Sequence, residues 1–219
     1  MNAESSSALD AVRDYVNSTA ATDETLDAAR DSANEYGLLK PDAMTGEFLT
    51  FLAAQVTSTS PTAVVMSPAY GVIGLHLFAG LPGGGHVTCI DPEVQHQALA
   101  RSAFNAAGVR SNAYRFLPSA PLVGVSRLAT SSYDIIVSQS AVEHLTATVD
   151  AALPVLRPGG ILVLLDSLLD GSLGDPENSD RQTRAAADAE EHLRSLDDVT
   201  VARLPLGAGC TVITTHAAR

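Results

Sequence analysis

Residues 199–215 read VTVARLPLGAGCTVITT, and this stretch decides the architecture of the chain. Two β-branched runs, residues 199–206 and 210–215, are separated only by the tripeptide Gly-Ala-Gly at 207–209. Strands joined by so short a turn pair antiparallel, because a parallel crossover needs a dozen or more residues. The sequence therefore predicts a fold that closes with an antiparallel hairpin.

Ahead of this hairpin, apolar runs alternate with segments of helical spacing. Five runs predict strands, at residues 62–66, 86–91, 112–117, 133–137 and 160–166. Helical spacing predicts helices at residues 71–80, 93–108, 119–129, 147–156 and 179–195. Continuous apolar runs are typical of strands buried on both faces, and the alternation indicates right-handed βαβ units in a parallel sheet. The pattern before residue 60 is helical, so we expect a single domain with a helical extension at 1–58 and an α/β core at 59–219.

Composition limits the possible partners of this chain. Its 219 residues include 25 Asp and Glu against 13 Lys and Arg, a net charge of −12. This balance argues against binding to nucleic acid or to anionic membrane surfaces, which both require a basic face. Cys89 and Cys210 lie in apolar runs and are expected to be buried thiols, not a disulfide or a zinc site. The first ten residues lack a basic leader, and we expect a cytoplasmic location.

The turn after the first strand contains the first candidate binding residues. Ser67, Ala69 and Gly71 are small and alternate, which lets a nucleotide-type cofactor approach the backbone at a helix N-terminus. An ordinary strand-to-helix turn explains the same pattern. Asp91 ends the second strand about 20 residues later, where an acid accepts hydrogen bonds from ribose hydroxyls. Its alternative role is to cap the following helix.

Several stretches taken together resemble one enzyme family, the O-methyltransferases related to catechol and caffeoyl-CoA methyltransferases. The resemblance extends from about Gly37 to Thr215. It depends on the turn at 67–71, TCIDPE at 88–93, ALARSAF at 98–104, YDII at 133–136, LRPGG at 156–160, Asp166, and LPLG at 204–207.

The resemblance implies a class I methyltransferase fold, a Rossmann-like parallel sheet closed by an antiparallel C-terminal hairpin. It implies S-adenosylmethionine as cofactor and a small-molecule hydroxyl as methyl acceptor. By the same resemblance, Asp91 would hold the ribose, and Ser67, Ala69 and Gly71 would face the methionine end. Ser119 and Ala120 would contact the adenine, and Gln139 would lie near the methyl group.

The chain departs from the family at the metal site. The family binds a divalent ion with an Asp after the fourth strand and an Asp-Asn pair after the fifth. Gln139 and Ala141 stand in the first region here, and Asp166 and Ser167 in the second. Magnesium requires several oxygen ligands with carboxylates among them. We therefore expect no magnesium, with Asp166 as the one candidate ligand.

The cofactor turn departs from the family as well. Relatives have an acid at the end of the first strand and glycines after it, whereas Val65, Ser67, Pro68 and Ala69 stand here. Pro68 also removes one backbone N–H. These changes motivate a second hypothesis, a degenerate family member that binds ligands without catalysis.

Methyl transfer without a metal still requires a base for the acceptor hydroxyl. Asp166 and His144 are the catalytic candidates, and Asp170 and Lys40 stay open. His144 also fits a surface position on a helix. Apolar positions in the N-terminal extension, at Leu9, Val12 and Val16, together with the family resemblance, suggest a homodimer.

Overall fold

The computed structural model describes residues 3–175, 177–178 and 180–216, and its elements follow the predicted alternation. The helices are α1 Ala3–Thr19, α2 Glu24–Glu35, α3 Ala43–Ala54, α4 Tyr70–Gly80, α5 Val94–Ala106, α6 Pro121–Val125, α7 Leu145–Ala152 and α8 Arg181–Arg194. The strands are β1 Thr62–Met66, β2 His86–Ile90, β3 Tyr114–Leu117, β4 Tyr133–Ser138, β5 Leu156–Leu164, β6 Val199–Leu204 and β7 Cys210–Thr215. Short 3₁₀ turns occupy Pro82–Gly84, Val142–His144, Leu153–Val155 and Leu169–Gly174.

The strands form one seven-stranded sheet in the order β3-β2-β1-β4-β5-β7-β6. Strands β1 to β5 pair in parallel, and β7 pairs antiparallel with both β5 and β6. The terminal hairpin is thus confirmed, with its second strand lying inside the sheet and its first at the edge. Such a sheet matches the predicted fold class.

Helices cover both faces of the sheet, which explains the continuous apolar runs. Helices α3, α4 and α5 pack on one face, against side chains such as Val65 and Val137. Helices α6, α7 and α8 pack on the other face, against Val64 and Ile136. These four valine and isoleucine side chains are completely buried.

Helices α2 and α3 each begin after an acidic residue that caps them. Asp42 Oδ1 accepts a hydrogen bond from the Thr45 N–H at 2.8 Å, which makes Asp42 the N-cap of α3. Helix α3 packs on α4, and α2 packs on α4 and α5. Gly46 of α3 lies directly against the buried ring of His76 in α4, so a side chain at position 46 would displace this ring.

Several element boundaries differ by one to four residues from the sequence prediction. Strand β5 begins at Leu156 and not at residue 160, because the Arg-Pro-Gly-Gly stretch lies inside the strand as a bulge. The pairing shifts there, and Gly159 has a φ of +78°. Helix α6 ends at Val125, four residues earlier than predicted. Ser179, the first residue of the predicted last helix, lies outside the described residues.

Both cysteines are free and buried, as predicted. Among the described residues, no helix is long and apolar enough to cross a membrane.

Candidate active site

The carboxyl ends of the five parallel strands lie along one edge of the sheet, where open α/β folds bind ligands. Ser67 follows β1, Asp91 follows β2, Gln139 follows β4, and Asp166 comes two residues after β5. Ser119 and Ala120 follow β3. Because β1 lies between β2 and β4, the predicted site residues occupy neighbouring positions along this edge.

A chain of hydrogen bonds links three of these strand ends. Gln139 Nε2 donates to Asp166 Oδ2 at 2.8 Å, and Ser67 Oγ donates to Gln139 Oε1 at 2.9 Å. Ser67 Oγ in turn accepts from the Ala69 N–H at 3.0 Å. Because a carboxylate only accepts hydrogen bonds, the amide nitrogen of Gln139 must face Asp166. Ser67, Gln139 and Asp166 are all residues predicted from the sequence, whereas their direct contact is visible only in the structure.

The terminal hairpin completes the surroundings of Asp166. The Ala208 N–H donates to Asp166 Oδ1 at 3.1 Å, and a Cβ atom at Gly207 would lie 2.9 Å from this same oxygen. Asp166 itself has a φ of +55°, a left-handed conformation that turns its carboxylate toward these partners. Both carboxylate oxygens therefore accept a hydrogen bond. Sequence reasoning missed Gly207 and Ala208, although a glycine in a tight turn was a visible signal.

The thiol beside this cluster is chemically inert. Burial, and secondarily the Asp166 carboxylate, raise the pKa of the Cys210 thiol to about 12. Cys210 is thus a neutral packing residue at neutral pH.

The carboxylate of Asp91 is held by two donors on the same oxygen. Its Oδ1 accepts from the Glu93 N–H at 2.9 Å and from His96 Nδ1 at 2.7 Å, and 7 % of the side chain is exposed. Glu93, not Asp91, occupies the N-cap of α5. The capping alternative is therefore wrong in detail, because Asp91 bonds the N–H of the cap residue itself. Sequence reasoning missed His96.

Close packing explains the small residues in the turn at 67–71. Ser67 and Ala69 are buried, and a Cβ atom at Gly71 would lie 3.1 Å from Ala100 Cα. The glycine thus allows α4 and α5 to approach each other. Tyr70 is also buried, and burial raises the pKa of its hydroxyl well above the usual range, so this group stays protonated.

The loop after β3 lies close to the end of β2. The Ser119 N–H donates to the Leu117 carbonyl at 2.9 Å, and Ala120 is the exposed residue that precedes α6. Gly124 of α6 rests on the Ile90 side chain, with no space for a Cβ atom. This contact holds α6 beside the strand that precedes Asp91.

The other candidate bases lie outside the hydrogen-bonded chain. His144 is exposed on the turn at Val142–His144, and no side-chain hydrogen bond joins it to another described residue. Asp170 is exposed as well, with a φ of +52°. Lys40 Nζ donates to Asn34 Oδ1 at 2.5 Å. Asp166 is therefore the candidate that the structure places among other predicted site residues.

The donor groups around Asp166 do not suit a magnesium ion. Gln139 presents its amide nitrogen to this region, and both oxygens of Asp166 already accept hydrogen bonds. The neighbouring Ser167 is buried, and its hydroxyl is paired with that of Thr211 at 2.9 Å. In the described part of the chain, no three His, Cys, Asp or Glu side chains are grouped so that they could hold a metal ion. The residues present do not fit the divalent site of the resembled family.

Comparison with known proteins gives consistent matches over nearly the whole chain. The model of a family described as O-methyltransferase matches residues 30–216. A Mycolicibacterium vanbaalenii protein named "Putative O-methyltransferase" is 31% identical over 91% of this chain and 88% of its own length.

Solved structures show the same fold. A Corynebacterium glutamicum protein is 47% identical with a TM-score of 0.93, covering 97% of this chain and 99% of that one. The O-methyltransferase TomG from Streptomyces achromogenes, solved with S-adenosylmethionine, is 22% identical with a TM-score of 0.78, over 93% and 94% of the two chains. An O-methyltransferase from Bacillus cereus, solved with S-adenosylhomocysteine, has a TM-score of 0.78 at 19% identity, over 94% and 97%.

Proposed function

This chain belongs to the O-methyltransferase family, and we propose that it transfers the methyl group of S-adenosylmethionine to a hydroxyl group of a small molecule without a divalent metal ion. The observation that carries this proposal is the cluster of Ser67, Gln139 and Asp166 at the strand ends, with Asp91 on the neighbouring strand. Family membership favours an enzyme over the alternative of a non-catalytic binding protein.

The cofactor site that we propose extends from β1 to β4. Asp91 Oδ2 receives no hydrogen bond from any described residue, and in our proposal it accepts hydrogen bonds from the ribose hydroxyls. Ser119 and Ala120 would border the adenine. Pro68 has no N–H to offer, and the Ala69 N–H is used by Ser67. The methionine carboxylate would therefore use the N–H groups of Tyr70 and Gly71, which precede the first hydrogen bond inside α4.

The acceptor hydroxyl would lie beside Asp166. When bound, S-adenosylmethionine supplies a methyl group on a positively charged sulfur, and its carbon–sulfur bond breaks as the new carbon–oxygen bond forms. Asp166 would accept the proton of the attacking hydroxyl, since its carboxylate is held in one orientation by Gln139 and Ala208. Gln139 would keep this base in place and border the methyl group. His144 remains the second candidate base.

We propose that catalysis needs no magnesium, because the Gln139 amide occupies the space beside Asp166 with a hydrogen-bond donor. A cation there would face the partial positive charge of the amide N–H groups. If any ion bound, Asp166 would be its one carboxylate ligand. The hydrogen bond of 2.8 Å between these two side chains supports a site organised without an ion.

Exposed hydrophobic side chains in the N-terminal extension support our proposal of a homodimer. In the described part of the chain, six of the eight large hydrophobic side chains that are exposed lie in this extension: Leu9, Val12, Tyr15, Tyr36, Leu39 and Phe51. The predicted Val16 is half-buried. Sedimentation of the wild type and of Val12→Asp would test the dimer, which should dissociate in the variant.

We also propose that residues 1–219 form a single domain that acts in the cytoplasm, consistent with two free thiols and an acidic composition.

Titration calorimetry with S-adenosylhomocysteine tests the proposed cofactor site. Each charged hydrogen bond contributes about 1.5–3 kcal/mol, so Asp91→Ala should weaken binding by about 10- to 100-fold. Asp188→Ala, at an exposed position on α8, is the matched control and should bind like the wild type. An undetectable affinity of the wild type at millimolar ligand would refute the enzyme and support the non-catalytic alternative.

Activity with a panel of small phenols tests the absence of a metal. We expect methyl transfer to persist after treatment with EDTA and to change less than twofold on addition of magnesium. Activity that is abolished by EDTA and restored by magnesium would overturn the metal-free proposal while leaving the family assignment intact.

A further inference from the structure

Two hydrogen-bond donors converge on one oxygen of Asp91. The Glu93 N–H and His96 Nδ1 both reach Oδ1, at 2.9 and 2.7 Å. No described residue donates to Oδ2. A carboxylate that uses one oxygen for the protein has all lone pairs of the other oxygen left for a ligand.

The second donor fixes the rotation of the carboxylate. Without His96, only the hydrogen bond from Glu93 would resist rotation of the Asp91 carboxylate about its Cβ–Cγ bond. With His96 also bound to Oδ1, a large rotation breaks two hydrogen bonds instead of one. His96 therefore helps to hold Oδ1 as the oxygen that the protein binds, which leaves Oδ2 for a ligand.

The position of His96 suits this role. It is the third residue of α5, and only 16% of its side chain is exposed. It also lines a cavity of about 130 Å³ together with Pro68 and Ala69 of the turn after β1. Both the imidazolium and the neutral ring with its proton on Nδ1 can donate to Asp91, and the contact survives in either protonation state.

We propose that His96 is a positioning residue that orients Asp91 for recognition of the ribose diol of the cofactor. This inference rests on the proposed function, because it presumes a ligand with a ribose. His96 touches Asp91 and not the reacting atoms, so its effect should appear in cofactor affinity and not in the chemical step.

The test compares His96→Leu, which cannot donate, with His96→Asn, whose amide can donate from nearly the same place as Nδ1. We expect the dissociation constant for S-adenosylhomocysteine to rise about tenfold in His96→Leu and at most threefold in His96→Asn. In turnover, KM for S-adenosylmethionine should rise by similar factors while kcat changes less than twofold. His192→Leu is the matched control, since His192 contacts Asp150 at an equal 2.7 Å on the outside of the molecule.

Ligand analogues separate positioning from general support of the fold. An S-adenosylhomocysteine analogue that lacks both the 2′- and the 3′-hydroxyl should bind the wild type and His96→Leu with nearly equal affinity, because it makes no ribose hydrogen bond to Asp91. Equal weakening of all ligands in His96→Leu would overturn the inference, as would unchanged affinity for the parent ligand. If His96→Leu does not fold, His96→Asn carries the test: binding weakened more than tenfold would refute the role of the donor.

The outcomes distinguish this inference from the proposed function. A wild type that fails to bind S-adenosylhomocysteine refutes the cofactor itself. Strong binding that depends on Asp91 but is insensitive to every change at His96 refutes only the positioning role.

Discussion

Replacement of Asp166 by Asn is the sharpest test of the catalytic site. Both oxygens of Asp166 accept hydrogen bonds, from Gln139 Nε2 at 2.8 Å and from the Ala208 N–H at 3.1 Å. An asparagine offers one acceptor and one donor, so its NH₂ group must face one of these two donors. An unsatisfied partly buried donor costs about 1–3 kcal/mol, and this is the expected loss in the free energy of unfolding.

A rotation of the Gln139 amide can recover part of the lost stability. If the amide of Gln139 rotates by 180°, its oxygen can accept from the new Asn, and its nitrogen can donate to Ser67 Oγ. Ser67 has a second lone pair for this bond beside the one used by Ala69. With this rotation, the loss in unfolding free energy should lie near the lower limit, and the site should keep its shape.

Rotation of the Gln139 amide restores the hydrogen bonds but not the negative charge of residue 166. Asp166→Asn should therefore affect the rate of methyl transfer far more than the stability of the fold. Removal of a general base typically lowers kcat by about 10²- to 10⁴-fold. We expect this decrease for Asp166→Asn, with the affinity for S-adenosylhomocysteine within threefold of the wild type. Stopped-time assays with a phenolic acceptor measure kcat, and calorimetry measures affinity. Asp188→Asn on the exposed face of α8 is the control.

Two results would refute the reasoning. A kcat within threefold of the wild type would show that Asp166 is not the base and would direct attention to His144. A parallel loss of kcat and cofactor affinity would show that Asp166 holds the site together and has no separate chemical role.

Three further changes test the packing and electrostatics of the fold. Gly207→Ala should destabilise the protein by about 1–2 kcal/mol, because residue 207 has a φ of +57°. It should also lower kcat, because the new Cβ atom would press on Asp166. Unchanged activity would contradict the proposed role of the hairpin. Gly124→Ala should lower the free energy of unfolding, measured by chemical denaturation, by about 1–3 kcal/mol and should weaken cofactor binding, since α6 must move away from Ile90. A stable variant with normal affinity would argue against this loop as the border of the adenine site. His76 is buried, and burial, with Arg30 nearby, lowers its pKa from 6.5 to about 4. The unfolded chain therefore binds a proton between pH 6.5 and 4 that the folded chain excludes, so stability should fall by about 3 kcal/mol as the pH decreases through this window, and His76→Leu should flatten the dependence.

The sequence predicts the fold well because its signals are local. The predicted runs of β1 and β7 coincide with the observed strands, since both are rich in β-branched residues, which favour strands. The glycine and alanine turn at 207–209 requires an antiparallel hairpin for reasons of chain length alone. The start of β5 is the instructive error, because Pro158 and Gly159 indicate a turn, whereas pairing with β4 extends the strand through a bulge.

The sequence by itself determined the fold class, the family resemblance, and the candidate residues at the strand ends, because each depends on composition and spacing along the chain. Only the tertiary structure decided which of these residues touch. Ser67, Gln139 and Asp166 are separated by 72 and 27 residues, and they meet because β1, β4 and β5 are adjacent in the sheet. His96 is only five residues from Asp91, yet its contact depends on how α5 leaves the strand end. The contacts of Asp166 with Gln139 and Ala208 are thus set by the packing of the strands, which no local pattern of this sequence contains.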